Sequence, residues 1–481
     1  MRKLVLLSVA VFVGVLLSAF TIERSRVPQN TTMMPAMTSA QLISTANEEL
    51  FQSSVFTHTV FLPLVAHTCR SEPMPMGVQI YYDISNTSST QFQRLVESNT
   101  LWVRKPIYWR QIEPNNTIPD NYNWAAYDTQ YLNATQNGLK IIATIEQNPD
   151  WAADNYEAHI NSANIDDFVE FVSAAVERYD GDGIDDAPGS PVVDHWEFYN
   201  EPDRDIRWGH YGAEYANMLS QVYPAVKLAN PKAVVLMGGL AFDWFEEDGG
   251  PFNRYFIDDV LAAGGGDYFD MMNFHYYPPF MYWQQWGPGL IGKNNYLKAE
   301  LAKYGVEKPV AVTETGWDWH WSGDEFFAGV PGASGTEMQE RFVVQTYSRA
   351  MAADIKIADW FVFNDIPPYY MGLTDPNFDK KRSFGVFQNV VTQLGQANYS
   401  HTLTDAELGS DNAEGYVFTR CQTHIYVVWT TDGNTAQIHV PASAVTKIDM
   451  YGQSTQITDA VDGHNDGITT VTYNAPTYIL F

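Results

Sequence analysis

The sequence predicts an α/β chain, a (β/α)8 TIM barrel followed by a C-terminal all-β, sandwich-like module. Between about residues 75 and 390, eight apolar strand-like runs alternate with amphipathic helical segments. No G-x-G-x-x-G follows the first run, as the competing doubly wound sheet would want. After about residue 395 the helical periodicity stops, and short strands succeed one another across Asp-Gly, Gly-Asn and His-Asn turns.

The eight runs are Val78–Tyr82, Leu101–Ile107, Lys140–Ile145, His195–Tyr199, Ala233–Gly238, Met271–His275, Pro309–Thr313 and Ile357–Phe363. Ile165–Tyr179, Ala213–Leu228 and Met338–Ala353 are examples of the intervening amphipathic segments. In the last part, Tyr416–Thr419, Ile425–Trp429, Ala436–Val440 and Thr469–Tyr473 read as strands. The division is then 1–22 a signal or anchor, 23–70 a linker, 71–393 the barrel and 394–481 the β module.

Met1-Arg2-Lys3 followed by the 17-residue apolar run Leu4 to Phe20 has the form of a secretion signal. Cleavage would release the protein outside the cell; retention would anchor it at the surface. The linker is rich in Thr, Ser, Met, Gln and Pro, and its apolar piece Val60–Val65 could add a strand elsewhere. The two cysteines, Cys69 and Cys421, are free to pair after export or to remain unrelated thiols.

A formal net charge of −29 would repel a phosphate backbone, so nucleic acid is not an expected partner. Aromatic residues make up 14% of the chain, with 14 Trp and 28 Tyr, an excess that suits stacking against sugar rings.

Two strands end in carboxylates. His195 to Glu201 is an apolar strand stopped by Pro202, and Pro309 to Glu314 is another. In a barrel the strand C-termini line the active face, so Glu201 tops strand 4 and Glu314 tops strand 7, facing each other across the mouth. Glycoside hydrolysis needs such a pair, one to protonate the leaving oxygen and one to attack or stabilise the sugar cation. Asn200 could bond a sugar hydroxyl, Arg104 could keep a carboxylate ionised, and Trp360 could wall a sugar ring. Glu197 lies four residues before Glu201, roughly 13 Å deeper in the barrel, and reads as a structural acid paired with Arg104.

Residues 76 to 390 resemble the clan A retaining glycoside hydrolases, the β-glucosidase, cellulase and β-xylosidase superfamily. The likeness rests on Val103-Arg104, Trp109 to Pro114, Gly138 to Ile145, Asn200-Glu201-Pro202, His275-x-Tyr277, Glu314-Thr315-Gly316-Trp317, and Trp360 with Asp365. The appended β module is most similar to the family 39 layout, with family 5 close behind. Strand 3 departs from the pattern, with Glu146-Gln147-Asn148 where many members carry a His.

The resemblance implies a secreted retaining enzyme acting on the β-linked sugars of oligo- or polysaccharides. Glu314 would be the nucleophile, and Glu201 an acid/base with its pKa raised by the Glu314 charge. Arg104, Asn200, His275, Tyr277, Trp317 and Trp360 would contact substrate, with Tyr277 holding Glu314. No cofactor is implied. The alternative is a carbohydrate-binding surface protein that keeps the barrel without the chemistry. Separately, Asp180-Gly181-Asp182-Gly183-Ile184-Asp185-Asp186 resembles a short calcium loop through Asp180, Asp182 and Asp186, or is an acidic surface turn.

Overall fold

Eight parallel strands form the sheet: β1 Met76–Gln79, β2 Trp102–Tyr108, β3 Lys140–Glu146, β4 His195–Phe198, β5 Val234–Leu236, β6 Met272–Tyr276, β7 Val310–Thr315 and β8 Ile355–Trp360. Their order is β5-β4-β3-β2-β1-β8-β7-β6. Bridges Leu236–Met271 and Leu240–Phe274 join the two ends, so the sheet closes into a barrel. This computed structural model describes residues 69, 70, 72–278, 289–324 and 329–481, all within one compact unit. The signal or anchor run and the linker up to residue 68 lie outside the described residues. Among the described residues, no helix is long and apolar enough to cross a membrane.

Period-two alternation sorts the barrel interior into layers. At the bottom, Trp102, Ile142, Leu236, Met271, Ala311 and Ile357 form an apolar plug. One step up, the inward residues turn polar: Gln79, Arg104, Thr144, Glu197, Asn273, Thr313 and Asp359, all buried. Gly77 opposes this layer, and a Cβ there would fall 1.7 Å from Asp359 Oδ1, so only glycine fits. Outward-facing strand residues pack under helices such as Ile165–Arg178, Gly212–Ala229 and Gly335–Ala352, whose apolar sides complete the main core.

The C-terminal module is antiparallel. Six strands run in the order β14 (Ser454–Thr458), β13 (Ala444–Asp449), β16 (Thr477–Leu480), β11 (Thr423–Thr430), β10 (Ala413–Arg420) and β9 (Asn398–Thr402). A two-stranded sheet, β12 (Ala436–Val440) and β15 (Thr469–Tyr473), completes the module. Val417, Val428, Ile438 and Val471 belong to its own core. Four of these strands, and the four-residue helix Asp405–Leu408, go beyond the sequence reading. Strands β9 and β14 are largely exposed and polar, so they lack the alternation that marks a strand.

An ion pair and a disulfide are among the ties between the module and the barrel. Arg349, on the helix Gly335–Ala352, gives Glu414 two hydrogen bonds, of 2.8 and 2.6 Å, with its guanidinium over Trp429. Cys69 and Cys421 form a disulfide, with Cα atoms 5.0 Å apart, which resolves the pairing left open by sequence.

Candidate active site

The loop after β4 presents Glu201 through an unusual backbone. Tyr199 and Glu201 both adopt left-handed conformations, with φ of 66° and 46°, which non-glycine residues enter only at a cost. Hydrogen bonds hold the turn there. Tyr199 Oη donates to Asn148 Oδ1 at 2.7 Å, and the Glu201 N–H donates to the Gly239 carbonyl at 3.0 Å. Asp203 accepts from the Ala241 and Phe242 N–H groups, joining the loops after β4 and β5.

Glu314 sits inside β7 and is only 5% exposed. Its carboxylate accepts from Arg104 Nη1 at 2.6 Å and from Tyr277 Oη at 2.8 Å. The same guanidinium donates to Glu197 at 2.6 Å, Gln79 at 2.9 Å and Asn200 Oδ1 at 2.7 Å. Glu197 also accepts from Thr144 and Asn273, and Asn273 donates in turn to Thr313. Glu197 is thus the structural acid beside Arg104 that its depth implied. Apart from Asp359, whose carboxyl oxygens meet no hydrogen-bond partner among the described residues, the polar layer below the mouth is one connected network that fixes the orientation of Glu314.

His275 stands between the two acids. Its Nδ1 is 3.2 Å from Glu201 and 3.5 Å from Glu314. Its Nε2 is buried and meets no hydrogen-bond partner among the described residues, while Nδ1 is the ring atom turned to the acids. Gly239 makes room for this ring, because a Cβ there would fall 2.2 Å from Nε2. One oxygen of Glu201, one of Glu314 and a ring nitrogen of His275 all lie within 4.8 Å of one another.

The electrostatics of Glu201 differ from the expectation of a raised pKa. Burial pushes its carboxyl up, but the hydrogen bond and charge of His275, with Arg207 and Arg204, outweigh that and hold it at about 2. Sequence reasoning weighed the neighbouring Glu314 and missed these cations. Arg207 Nη1 donates to the Asn200 carbonyl and lies 3.6 Å from Glu201.

Two sequence-selected residues fall outside the mouth. Trp317 and Trp360 are each 0% exposed and pack on Phe342 of the helix Gly335–Ala352. Their indole N–H groups donate to the Trp321 and Met371 carbonyls. Neither can present a face to a sugar. The inward positions of β8 are Ile357 and Asp359, and the next in that series is Phe361. Phe361 is edge-on to Tyr81, Tyr277 and Tyr369, forming an aromatic rim beside Glu314 that takes the place assigned to Trp360.

Also missed were Gln79, Thr144, Asn273 and Thr313. Their signal was available: polar residues at inward register in otherwise apolar strands. Asp180, Asp182 and Asp186 do come together, with oxygens within 4.8 Å of one another. Those carboxylates accept from the backbone N–H groups of Asp182, Gly181, Gly183 and Ile184, which organises the turn itself.

No protein-family model and no curated protein matches this chain. Solved structures do, and the fold is that of the clan A glycoside hydrolases. A family 39 glycoside hydrolase from Bacteroides cellulosilyticus WH2 superposes with a TM-score of 0.64 at 21% identity, over 85% of this chain and 81% of that one. A monomeric β-xylosidase from Caulobacter crescentus CB15 gives 0.56 at 12% identity, over 85% and 97%. A family 30 subfamily 8 xylanase from Clostridium acetobutylicum gives 0.58 at 11%, over 85% and 96%.

Proposed function

We propose that this chain is an exported retaining glycoside hydrolase that cleaves β-linked sugars by double displacement. The observation that carries the reading is the pair Glu201 and Glu314, with carboxylate oxygens within 4.8 Å across a barrel mouth. Retaining enzymes hold their carboxyl groups about 5–5.5 Å apart, whereas inverting ones leave about 6.5–9.5 Å for a water.

In the first step Glu314 attacks the anomeric carbon, the bond to the leaving oxygen breaks, and Glu201 gives that oxygen its proton. In the second, Glu201 takes a proton from water, water attacks the same carbon, and Glu314 departs. Arg104 and Tyr277 favour this role for Glu314, since both donate to its carboxyl oxygens and fix its aim. Glu201 must gain a proton on substrate binding. A bound sugar expels water from the mouth, which disfavours the charged carboxylate. Asn200 gives its oxygen to Arg104, which leaves its amide N–H groups as donors for a sugar hydroxyl. This chemistry requires no cofactor.

The N-terminal signal pattern and the disulfide support export. The similar structures include a β-xylosidase and a xylanase, which supports β-xylosides among the first substrates to try. The test is a screen of aryl β-glycosides and β-glycans, with the anomer of the first-formed product followed by NMR. Retention is expected. Inversion, or no turnover of any glycoside, would overturn the reading.

A further inference from the structure

The mouth holds a third carboxyl that the double displacement does not use. On β3, Ile142 belongs to the apolar plug and Thr144 donates to Glu197 in the polar layer. Two residues on, Glu146 continues the same inward face and reaches the mouth, partly exposed. No hydrogen bond or ion pair among the described residues reaches its carboxyl.

The nearby cations are already committed. Arg104 serves Glu197, Glu314, Gln79 and Asn200. Arg207 serves Asn200, Glu157 and Glu201. Within electrostatic reach of Glu146 are Tyr108 and Arg104 from β2, Glu197 from β4, Arg207 from the following loop and Glu314 from β7. Tyr81 beyond β1 and Tyr127 on the helix Ala125–Gln136 lie within the same reach. A half-buried carboxyl with no hydrogen-bond partner among the described residues and with other acids around it is unfavourable. Its two oxygens can each accept from a hydroxyl, and paired ring hydroxyls would satisfy both. A further carboxylate held beside Glu146 would meet Glu197 and Glu314, the charges that already oppose the ionisation of Glu146.

Resting on the glycosidase reading above, we propose that Glu146 is the residue that selects the sugar. Its carboxylate accepts hydrogen bonds from hydroxyls of the ring bound next to Glu314 and excludes acidic sugars such as uronates. Burial, against the pull of Arg207 and Arg104 and with the push of Glu197 and Glu314, raises its carboxyl to about 7. Recognition by the charged form therefore strengthens as pH rises through that value.

The experiment compares the full chain with Glu146→Gln on 4-nitrophenyl β-glucoside, β-xyloside and β-glucuronide from pH 5 to 9. Three results are expected in the variant: at least about tenfold lower kcat/KM on neutral glycosides, a glucuronide-to-glucoside ratio at least about tenfold higher, and loss of the ascending limb near pH 7. An unchanged ratio with an unchanged limb would overturn the proposal, even if activity fell, because a merely structural role moves neither. A wild type that prefers the glucuronide would overturn it as well. Calorimetric binding of xylobiose, cellobiose and glucuronate reads the same selectivity without turnover. Failure of all hydrolysis would then sink the glycosidase reading alone, while neutral-sugar binding that ignores Glu146→Gln would sink this one.

Discussion

Arg104 Nη1 lies 2.6 Å from Glu314 Oε1, and both side chains are almost wholly buried. The same guanidinium pairs with Glu197, so one cation serves two acids in a low-dielectric interior. Removing one partner of a buried pair leaves charge uncompensated and costs about 3–5 kcal/mol. Arg104→Met should therefore destabilise the fold by that order and abolish turnover together. Arg104→Lys should recover part of the stability but little of the activity, because an ammonium cannot reach four acceptors in a planar fork. Urea denaturation with initial rates would check both. A loss below about 1 kcal/mol for the Met variant would show that the network carries no such weight.

The two acids should separate under azide. Glu314→Ala removes the attacking group and should abolish turnover of every substrate. Glu201→Ala on a nitrophenyl glycoside should still form the glycosyl-enzyme and then stall, since the leaving group scarcely needs a proton but water lacks its base. Azide needs no base. It should restore the Glu201 variant with a β-glycosyl azide from a β-glycoside, and give the α-azide with the Glu314 variant. Swapped anomers would mean reversed roles. Unchanged activity in either variant would move the search to other carboxyls, Glu146 first.

The barrel was legible because its strands are apolar runs of a length and spacing that few other architectures use. The acids were legible because they end two of those runs. Arg104 and Glu197 could be paired from depth alone. The aromatic wall was misassigned by one residue, and in a strand a one-residue shift moves a side chain to the opposite face. Asp359 held the clue: a polar residue belongs to the inward polar layer, which makes Trp360 outward and Phe361 inward. The Glu201 environment was hidden because Arg207 approaches through a loop rather than a strand, where no periodicity applies.

The disulfide between Cys69 and Cys421 closes a loop of 352 residues between the barrel entrance and the β10–β11 turn. Cross-links of that length restrict the unfolded chain most, and losing one costs about 2–5 kcal/mol. Cys421→Ala should lower the midpoint of chemical unfolding, and reduction of the wild type should lower it equally. Activity of the folded protein should be unchanged, since Cys421 lies in the β module. Equal stability of the oxidised and reduced wild type would refute the staple.

Stability should depend on pH with opposite signs at Glu146 and Glu201. Glu201 is held at about 2 in the fold against an ordinary 4.5. Its stabilising contribution is complete above 4.5 and is lost as pH falls toward 2. Glu146 is raised from 4.5 to about 7, so its ionisation opposes folding, and stability falls as pH rises between those values. Glu146→Gln should therefore be the more stable protein at pH 8, by up to about 3 kcal/mol, and nearly neutral at pH 4. Glu201→Gln should flatten the acid limb between pH 5 and 2. Thermal melts across pH would read both, and parallel curves for wild type and either variant would contradict the corresponding assignment.

Gly239 offers the sharpest test of how His275 is placed. A Cβ on Gly239 would fall 2.2 Å from His275 Nε2 and 2.8 Å from Thr313 Oγ1. The obstruction comes from the ring it would strike. Gly239→Ala should push the imidazole away from Glu201 and Glu314, lowering kcat by about 10²-fold with a smaller change in KM. If the ring is the obstacle, removing it should relieve the clash. Gly239→Ala should then cost much less in a His275→Ala background than in the wild type, a coupling of about 1–3 kcal/mol in a double-mutant cycle. Additive effects on both kcat and unfolding free energy would mean that Gly239 supports the β5 loop generally and has no particular bearing on His275.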